Sequence, residues 1–305
     1  MVGGAALIAV DWGTSSFRAV RLDASGSVLD RRAGPRGILT VTDSDFAGVL
    51  ASHIGDWLSS DAVPVLMSGM IGSRQGWLEA PYLTCPAGLR DLASGLLRVP
   101  FEGADVRIVP GVEAVTATMR DVMRGEETQV FGALARSGAE DGRFLLPGTH
   151  SKWVQAQGGR IVGFSTYMTG EIYAACRGHT ILGRLMTEGE PGGEAFANGV
   201  RDGARAGGPG ALLNRLFGVR TAGLFGAIAG PDLPDYLSGL LIGAEIADAG
   251  REHPGPVQII AADTLAERYR AAAAELGMAA DIVPSECIVD GYLAIARLAG
   301  LIAAT

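Results

Sequence analysis

Apolar runs separated by short polar turns open the chain. Residues 7–10 are apolar, 11–16 are polar with a glycine, and 17–22 alternate apolar and charged positions, which predicts strand, tight turn, strand. Ala24-Ser25-Gly26 signals a hairpin into a third strand at 28–32. The same device returns at 144–154. Superposing Gly13 on Gly148 also superposes Thr14 on Thr149 and Ser16 on Ser151, 135 residues apart, and Gly158-Gly159 then turns the chain into 161–165. A Gly-Thr turn between strands directs backbone N–H groups and hydroxyls at one point, an arrangement suited to phosphate. Two copies predict two domains, each gripping part of a polyphosphate.

Between the copies, Phe46, Val49, Leu50, Ile54, Trp57 and Leu58 recur at a helical period, with Asp43, Ser44 or Asp45 available as N-cap. Strands are expected at 64–67 and 106–109, a helix at 127–136, and a linker at 137–142. Further on, helices are expected at 211–216 and 236–249 and a strand at 257–260. Asp263 is placed to cap a helix that Gly277 stops. A last helix at 285–302 is expected to cross back onto the first domain. Strands alternating with helices behind hairpin starts give α/β layers with mixed sheets. The expected domains are 1–139 and 140–305.

Length and composition agree with this picture. At 305 residues the chain has room for two domains, and 19% charged against 48% hydrophobic residues excludes long disorder. A formal charge of -8 argues against nucleic acid or an anionic membrane as partner, though not against a nucleotide held by backbone amides and a metal. Cys85, Cys176 and Cys287 are odd in number and form no CxxC pair, so they read as reduced thiols in a cytoplasmic protein. The apolar stretch at 5–10 is too short for a signal-peptide core, and 237–247 is too short for a span and contains Glu245. No membrane partner is expected. A homodimer is compatible with the sequence, which does not fix the oligomer.

The residues also carry a resemblance. Val10-Asp11-Trp12-Gly13-Thr14-Ser15-Ser16-Phe17-Arg18-Ala19 resembles the first phosphate motif of the sugar kinase/hsp70/actin superfamily. Leu66 through Trp77 (LMSGMIGSRQGW), Met123 through Gln129 (MRGEETQ), Leu145 through Trp153 (LLPGTHSKW) and Met168-Thr169-Gly170-Glu171 look like the 2-dehydro-3-deoxygalactonokinase family, over nearly the whole chain. The resemblance implies two actin-like, ribonuclease H-like domains with ATP in the cleft between them. It also implies ATP-dependent phosphorylation of the terminal C6 hydroxyl of 2-dehydro-3-deoxy-D-galactonate, a sugar acid, to the 6-phosphate in galactonate breakdown.

The residues supply parts for that reaction. Asp11, closing a strand at the first turn, could hold Mg2+ through water beside the transferred phosphate; the alternative is a strand-end Asp bonding its own turn. The second copy carries Leu146 there, and one metal needs one carboxylate. Gly13, Thr14, Ser15 and Ser16 would cradle the γ-phosphate, and Gly148, Thr149 and Ser151 the β or α phosphates, with Lys152 and His150 able to neutralise charge. Transfer to an alcohol needs a base. The segment at 125–132 resembles the Gly-Asp-Gln-Gln block of related carbohydrate kinases with Glu126 at the base position; Asp121, one and a half helical turns upstream, and Glu127 are rivals. A substrate carboxylate calls for a cation with fork geometry, and Arg74, with Gln75, Trp77 and Glu79 in the same loop, is the candidate, with Arg18 as a second. Where the superfamily places paired glycines for adenosine, this chain has Ala261-Ala262. Two rivals remain: an exopolyphosphatase-like hydrolase and an actin-like or chaperone-like ATPase switch, the latter disfavoured because no segment is left for an additional binding domain.

Overall fold

The computed structural model describes residues 4–60, 63–190, 192–205, 210–252 and 254–303. In chain order the first part contains β1 (Ala5–Trp12), β2 (Phe17–Asp23), β3 (Val28–Gly34), α1 (Phe46–Ser60), β4 (Val65–Ser68), β5 (Tyr82–Thr84) and β6 (Ala87–Gly88). It continues with α2 (Leu89–Ser94), β7 (Leu97–Val99), β8 (Val106–Ile108), β9 (Gly111–Val115), β10 (Arg120–Met123) and α3 (Glu126–Ser137). Then come β11 (Gly142–Leu146), β12 (Ser151–Gln157), β13 (Arg160–Tyr167), α4 (Thr169–His179), α5 (Ala195–Ala204), α6 (Ala211–Leu224) and α7 (Leu233–Glu252). The chain closes with β14 (Val257–Ala261), α8 (Asp263–Glu275), β15 (Ala280–Pro284) and α9 (Cys287–Leu298).

Two compact units result: Met1–Gly142 with Gln155–Phe164 and Ser285–Thr305, and Arg143–Val154 with Ser165–Pro284. Where a single division at 139/140 is expected, the observed grouping instead assigns two later segments to the first unit. One is the last helix. Gly132 and Gly291 let α3 and α9 touch backbone to backbone, because a Cβ on Gly291 would lie 2.1 Å from the Thr128 carbonyl oxygen. The other is the tip of the β12–β13 hairpin, where Arg160 and Ile161 pair with Gly88 and Ala87.

The repeated sequence device becomes a repeated topology. The first unit has the strand order β3-β2-β1-β4-β8-β7, and the second runs β13-β12-β11-β14-β15 in its corresponding part. In each, a hairpin series leads into a strand that pairs in parallel with the next: β1 with β4 and β4 with β8, then β11 with β14 and β14 with β15. Ile8, Val10, Met67 and Ile108 from the first sheet meet Leu50, Ile54 and Trp57 of α1 in one core. Asp45 caps α1, its carboxylate accepting the Gly48 N–H at 2.8 Å.

Several local expectations are corrected. Asp121 lies on strand β10, paired antiparallel with β9 in a separate three-stranded sheet. Asp263 is the first residue of α8 and Ala262 is its cap, so the carboxylate favours the positive helix end instead of bonding a capping N–H. Helices α4 and α5 and strand β15 carry weak sequence signals. In α5, Gly199 and Gly203 serve close packing on α7, whose Gly239 and Gly243 reciprocate, and glycine lowers the helical signal that such packing overrides.

Candidate active site

In the first unit the carboxyl ends of the parallel strands converge, the place where open α/β sheets bind ligands. Asp11, next to last in β1, pairs in register with Ser68 at the end of β4. Gly69 follows with φ 91°, and a Cβ there would lie 2.9 Å from the Trp12 carbonyl oxygen and 3.3 Å from Asp11 Oδ1. Gly125 has φ 109° and sits against Gly69, its own hypothetical Cβ 3.1 Å from the Gly69 Cα. Only glycines permit both the dihedrals and the approach. The consequence is that Glu126, first residue of α3, starts beside the end of β1.

The electrostatics reflect that closeness. Burial pushes the Asp11 carboxyl above its ordinary range; the Arg18 charge and hydrogen bond oppose this, and the Glu126 charge reinforces it. Arg18 Nη1 lies 3.2 Å from Asp11 Oδ2, across the β1–β2 ladder, with Arg18 65% and Asp11 24% exposed. Glu126 is half-buried, and its Oε2 accepts the Arg124 N–H at 3.0 Å. Glu127 is fully buried: Oε2 accepts the Gly125 N–H at 2.7 Å and Oε1 the Thr128 hydroxyl at 3.0 Å. Burial first and the Glu126 charge second raise its carboxyl to about 8. Tyr292 of α9 ties the floor together, its hydroxyl 2.5 Å from Ser68 Oγ and donating to the Val10 carbonyl at 2.8 Å.

The first turn is open above this floor. Gly13 N–H donates to the Ser16 carbonyl, Thr14 and Ser15 are exposed, and Ser16 is half-buried. The Ile38 and Leu39 N–H groups donate to the Gly13 and Thr14 carbonyls, so the turn rests on the following loop. The loop after β4 carries Arg74, 86% exposed and 3.5 Å from Glu79, and exposed Gln75. Trp77 turns inward, stacking on Phe46 with centroids 6.4 Å apart and meeting Phe101 edge-on, which fastens the loop to the core. Asp121 lies on β10, its carboxylate accepting the Val122 N–H.

The second turn is built differently. Thr149 and His150 are exposed, Gly148 is half-buried, and Lys152 is buried with Nζ 3.3 Å from the His150 carbonyl. The first turn of α4 packs on the loop: a Cβ on Gly170 would lie 2.3 Å from the Gly148 carbonyl oxygen, Glu171 N–H donates to the Thr149 carbonyl at 3.0 Å, and Glu171 pairs with His150. Ser151 is fully buried and donates its hydroxyl to Glu245 at 2.7 Å. Ala261 ends β14 and Ala262 is exposed ahead of α8.

Two residues escaped the sequence reading. Glu245 sits in the apolar middle of helix α7, where on sequence alone it serves only to argue against a membrane span. Arg124 follows β10 and is buried, with its guanidinium 4.2 Å over the Tyr82 ring and Nη2 donating to the Ala80 carbonyl at 2.8 Å. Its Nη1 is buried without a partner among the described residues. The signal available for Arg124 was its place one residue before the Gly125-Glu126 turn.

Comparison with known proteins gives the arrangement its family. The family described as 2-keto-3-deoxy-galactonokinase matches residues 11–295. A probable 2-dehydro-3-deoxygalactonokinase from Rhizobium meliloti is 38% identical, covering 95% of this chain and 96% of that protein, and the 2-dehydro-3-deoxygalactonokinase of Escherichia coli is 36% identical over 88% and 90%. A crystal structure of a 2-dehydro-3-deoxygalactonokinase candidate from Sinorhizobium meliloti superposes with a TM-score of 0.88 at 38% identity, covering 95% of this chain and 98% of that one. The activator of 2-hydroxyisocaproyl-CoA dehydratase from Clostridium difficile, solved with ADPNP, shares the fold alone, with a TM-score of 0.52 at 11% identity over 97% and 95%. With mixed sheets flanked by helices in two actin-like units, the chain belongs to the 2-keto-3-deoxy-galactonokinase family and is a carbohydrate kinase.

Proposed function

We propose that this kinase transfers the γ-phosphoryl group of ATP to the C6 hydroxyl of 2-dehydro-3-deoxy-D-galactonate, yielding the 6-phosphate and ADP in galactonate catabolism. The observation that carries the reading is the placement of Glu126 beside the Asp11 end of β1 by the Gly69–Gly125 approach, within a chain that matches the family over residues 11–295. A base must stand near the attacking hydroxyl and the metal-bound phosphate at once.

In this reading Glu126 accepts the C6 proton as the C6 oxygen bonds to phosphorus and the bond to the β-phosphate oxygen breaks. Half-burial leaves Glu126 reachable, whereas Glu127 is sealed and binds its own helix start. Asp11 suits Mg2+: its carboxyl is crowded by burial and by Glu126, and Mg2+ is commonly held by one carboxylate, waters and substrate phosphates. Bound there, the ion would neutralise charge on the transferring phosphoryl group. Thr14, Ser15 and Ser16 offer donors to the γ-phosphate, with Gly13 shaping the turn while its own N–H is held by the Ser16 carbonyl, and Gly148, Thr149 and Lys152 offer donors to the phosphates behind it. Ser151 contributes through its backbone and its bond to Glu245, and Ala261-Ala262 leaves room for adenosine. Arg74, Gln75 and Arg18 face solvent on the first unit as contacts for the sugar acid, with Trp77 fixing the loop. A cytoplasmic setting fits three free cysteines, and among the described residues no helix is long and apolar enough to cross a membrane.

The test is product formation with ATP and Mg2+ across 2-keto-3-deoxy sugar acids and plain aldonates, with the product's phosphorus located by NMR. ADP release that requires 2-dehydro-3-deoxy-D-galactonate, with phosphate on C6, is expected. ATP consumption at the same rate without any sugar acid would overturn the reading.

A further inference from the structure

The second unit buries a carboxylate that the reaction does not touch. Glu245 of α7 is 3% exposed. Its Oε1 accepts the Ser151 hydroxyl at 2.7 Å and the Trp153 indole N–H at 2.8 Å, and its Oε2 accepts the Tyr269 hydroxyl at 2.8 Å. The Thr169 hydroxyl is a further donor to the same carboxylate. Leaving such a group in a hydrophobic core is costly unless every acceptor site is filled. Here the donors come from β12, α4 and α8, so one carboxylate joins three elements to a fourth.

Two of those donors flank the second turn. Ser151 is the residue immediately after Gly148-Thr149-His150, and Thr169 opens the helix whose Gly170 and Glu171 backbone lies against Gly148 and Thr149. The turn is thus held from its downstream strand and from its neighbouring helix, and both holds end on Glu245. We infer that Glu245 is a positioning residue for nucleotide binding: by fixing Ser151 and Thr169 it sets the donors of the second turn where the ATP phosphates need them. The inference rests on the reading of 148–151 as a phosphate turn, and it assigns no chemistry to Glu245 itself.

Substitution to glutamine is a sharp probe because it removes the charge and one acceptor atom. Its oxygen must stay toward Trp153, whose indole N–H can only donate, and its NH2 then meets the Tyr269 hydroxyl only if that hydroxyl reverses to accept, so the fourfold set of donors is broken. Glu245→Gln is expected to raise the KM for ATP and the Kd for ADP, measured by calorimetry, about tenfold or more, with the sugar-acid KM within about twofold of wild type. Tyr269→Phe is the matched control. It removes a donor from the same carboxylate but on α8, away from the turn, so it is expected to lower Tm while leaving nucleotide KM and Kd near wild type. Should Glu245→Gln fail to fold, Thr169→Val gives the same readout from the α4 side. Nucleotide affinity unchanged in the turn-side variant, or shifted equally by Tyr269→Phe, or a parallel rise in both substrate KM values, would overturn the inference and leave Glu245 a purely structural group. The ADP arm keeps this separate from the proposed reaction: a wild-type protein that binds ADP but does not phosphorylate the sugar acid would sink the reaction while Glu245 remained testable.

Discussion

The two turns share glycine, threonine and serine at equivalent positions and have opposite electrostatics. At the first, the preceding strand ends in Asp11, with Arg18 across the ladder and Glu126 brought near by two glycines. Ser16 stays half-exposed. At the second, the corresponding strand ends in buried Leu146, and the serine has turned into the core to satisfy Glu245. One copy keeps its acid beside the turn; the other hides an acid behind it and presents backbone and Thr149, with Lys152 buried against the His150 carbonyl. The lesson is that duplication conserved the path of the backbone while the charges moved. A chemical site needs ionised groups where bonds change, and a binding site for the remaining phosphates needs rigidity without an acid in front.

Glu126→Gln cuts deepest into this comparison, because it removes the proposed proton acceptor from the charged side and keeps size. Loss of general-base help is worth about 10² to 10⁴ in rate, so kcat should collapse while the KM of both substrates changes little. Asp121→Asn in the same assay should remain near wild type, since Asp121 lies on the β9–β10 hairpin. If the Asp121 variant is the inactive one, the proton acceptor has to be reassigned.

Asp11→Asn makes the first turn as neutral as the second. An amide is a poor partner for a hydrated dication, and loss of a carboxylate acting through water should lower turnover roughly 10- to 100-fold and raise the Mg2+ concentration needed for half-maximal rate. Titrating Mg2+ at fixed ATP checks it. An unchanged Mg2+ requirement would make Asp11 simply the partner of Arg18.

Arg74→Ala asks whether the first unit alone meets the sugar acid. A charge-assisted contact to a carboxylate is worth about 1.5 kcal/mol, so the sugar-acid KM should rise roughly tenfold with the ATP KM unmoved. Equal shifts in both constants, or none, would remove Arg74 from the substrate side and turn attention to Arg124, which is buried and has one nitrogen without a partner among the described residues.

Much of this was readable in the chain. The 135-residue repeat announced two copies of one topology, and the strand orders repeat accordingly. The periodicity around Phe46, Leu50 and Trp57 placed α1, and the apolar run 64–67 placed β4. What stayed hidden depends on distant partners. Nothing local shows that Ser151 faces a glutamate 94 residues later, or that Gly125 and Gly69 meet. Glycine-rich α5 reads as loop because its glycines serve α7. The β9–β10 pair around Asp121 stays unread because short strands give a weaker periodic signal than a helix.

The gentlest perturbation sets the two buried glutamates against each other. Glu245 meets four donors, whereas Glu127 meets the Gly125 N–H and the Thr128 hydroxyl beside the charge of Glu126, and its carboxyl is raised to about 8. Between about pH 4.5 and 8 the unfolded chain releases this proton while the folded protein keeps it. That difference lowers stability as pH rises, and the loss is complete once the folded group also ionises. In Glu127→Gln the amide oxygen can still accept from Gly125 and the NH2 can donate to Thr128 Oγ1, so turnover should stay within a few-fold of wild type. The variant should lack the wild-type decline. Urea unfolding at pH 5, 7 and 9 should show the variant gaining on wild type with pH, by on the order of a few kcal/mol at the alkaline end. Parallel curves would mean that the Glu127 carboxyl titrates alike in the folded and unfolded chain, the upward push of burial being offset by its two donors.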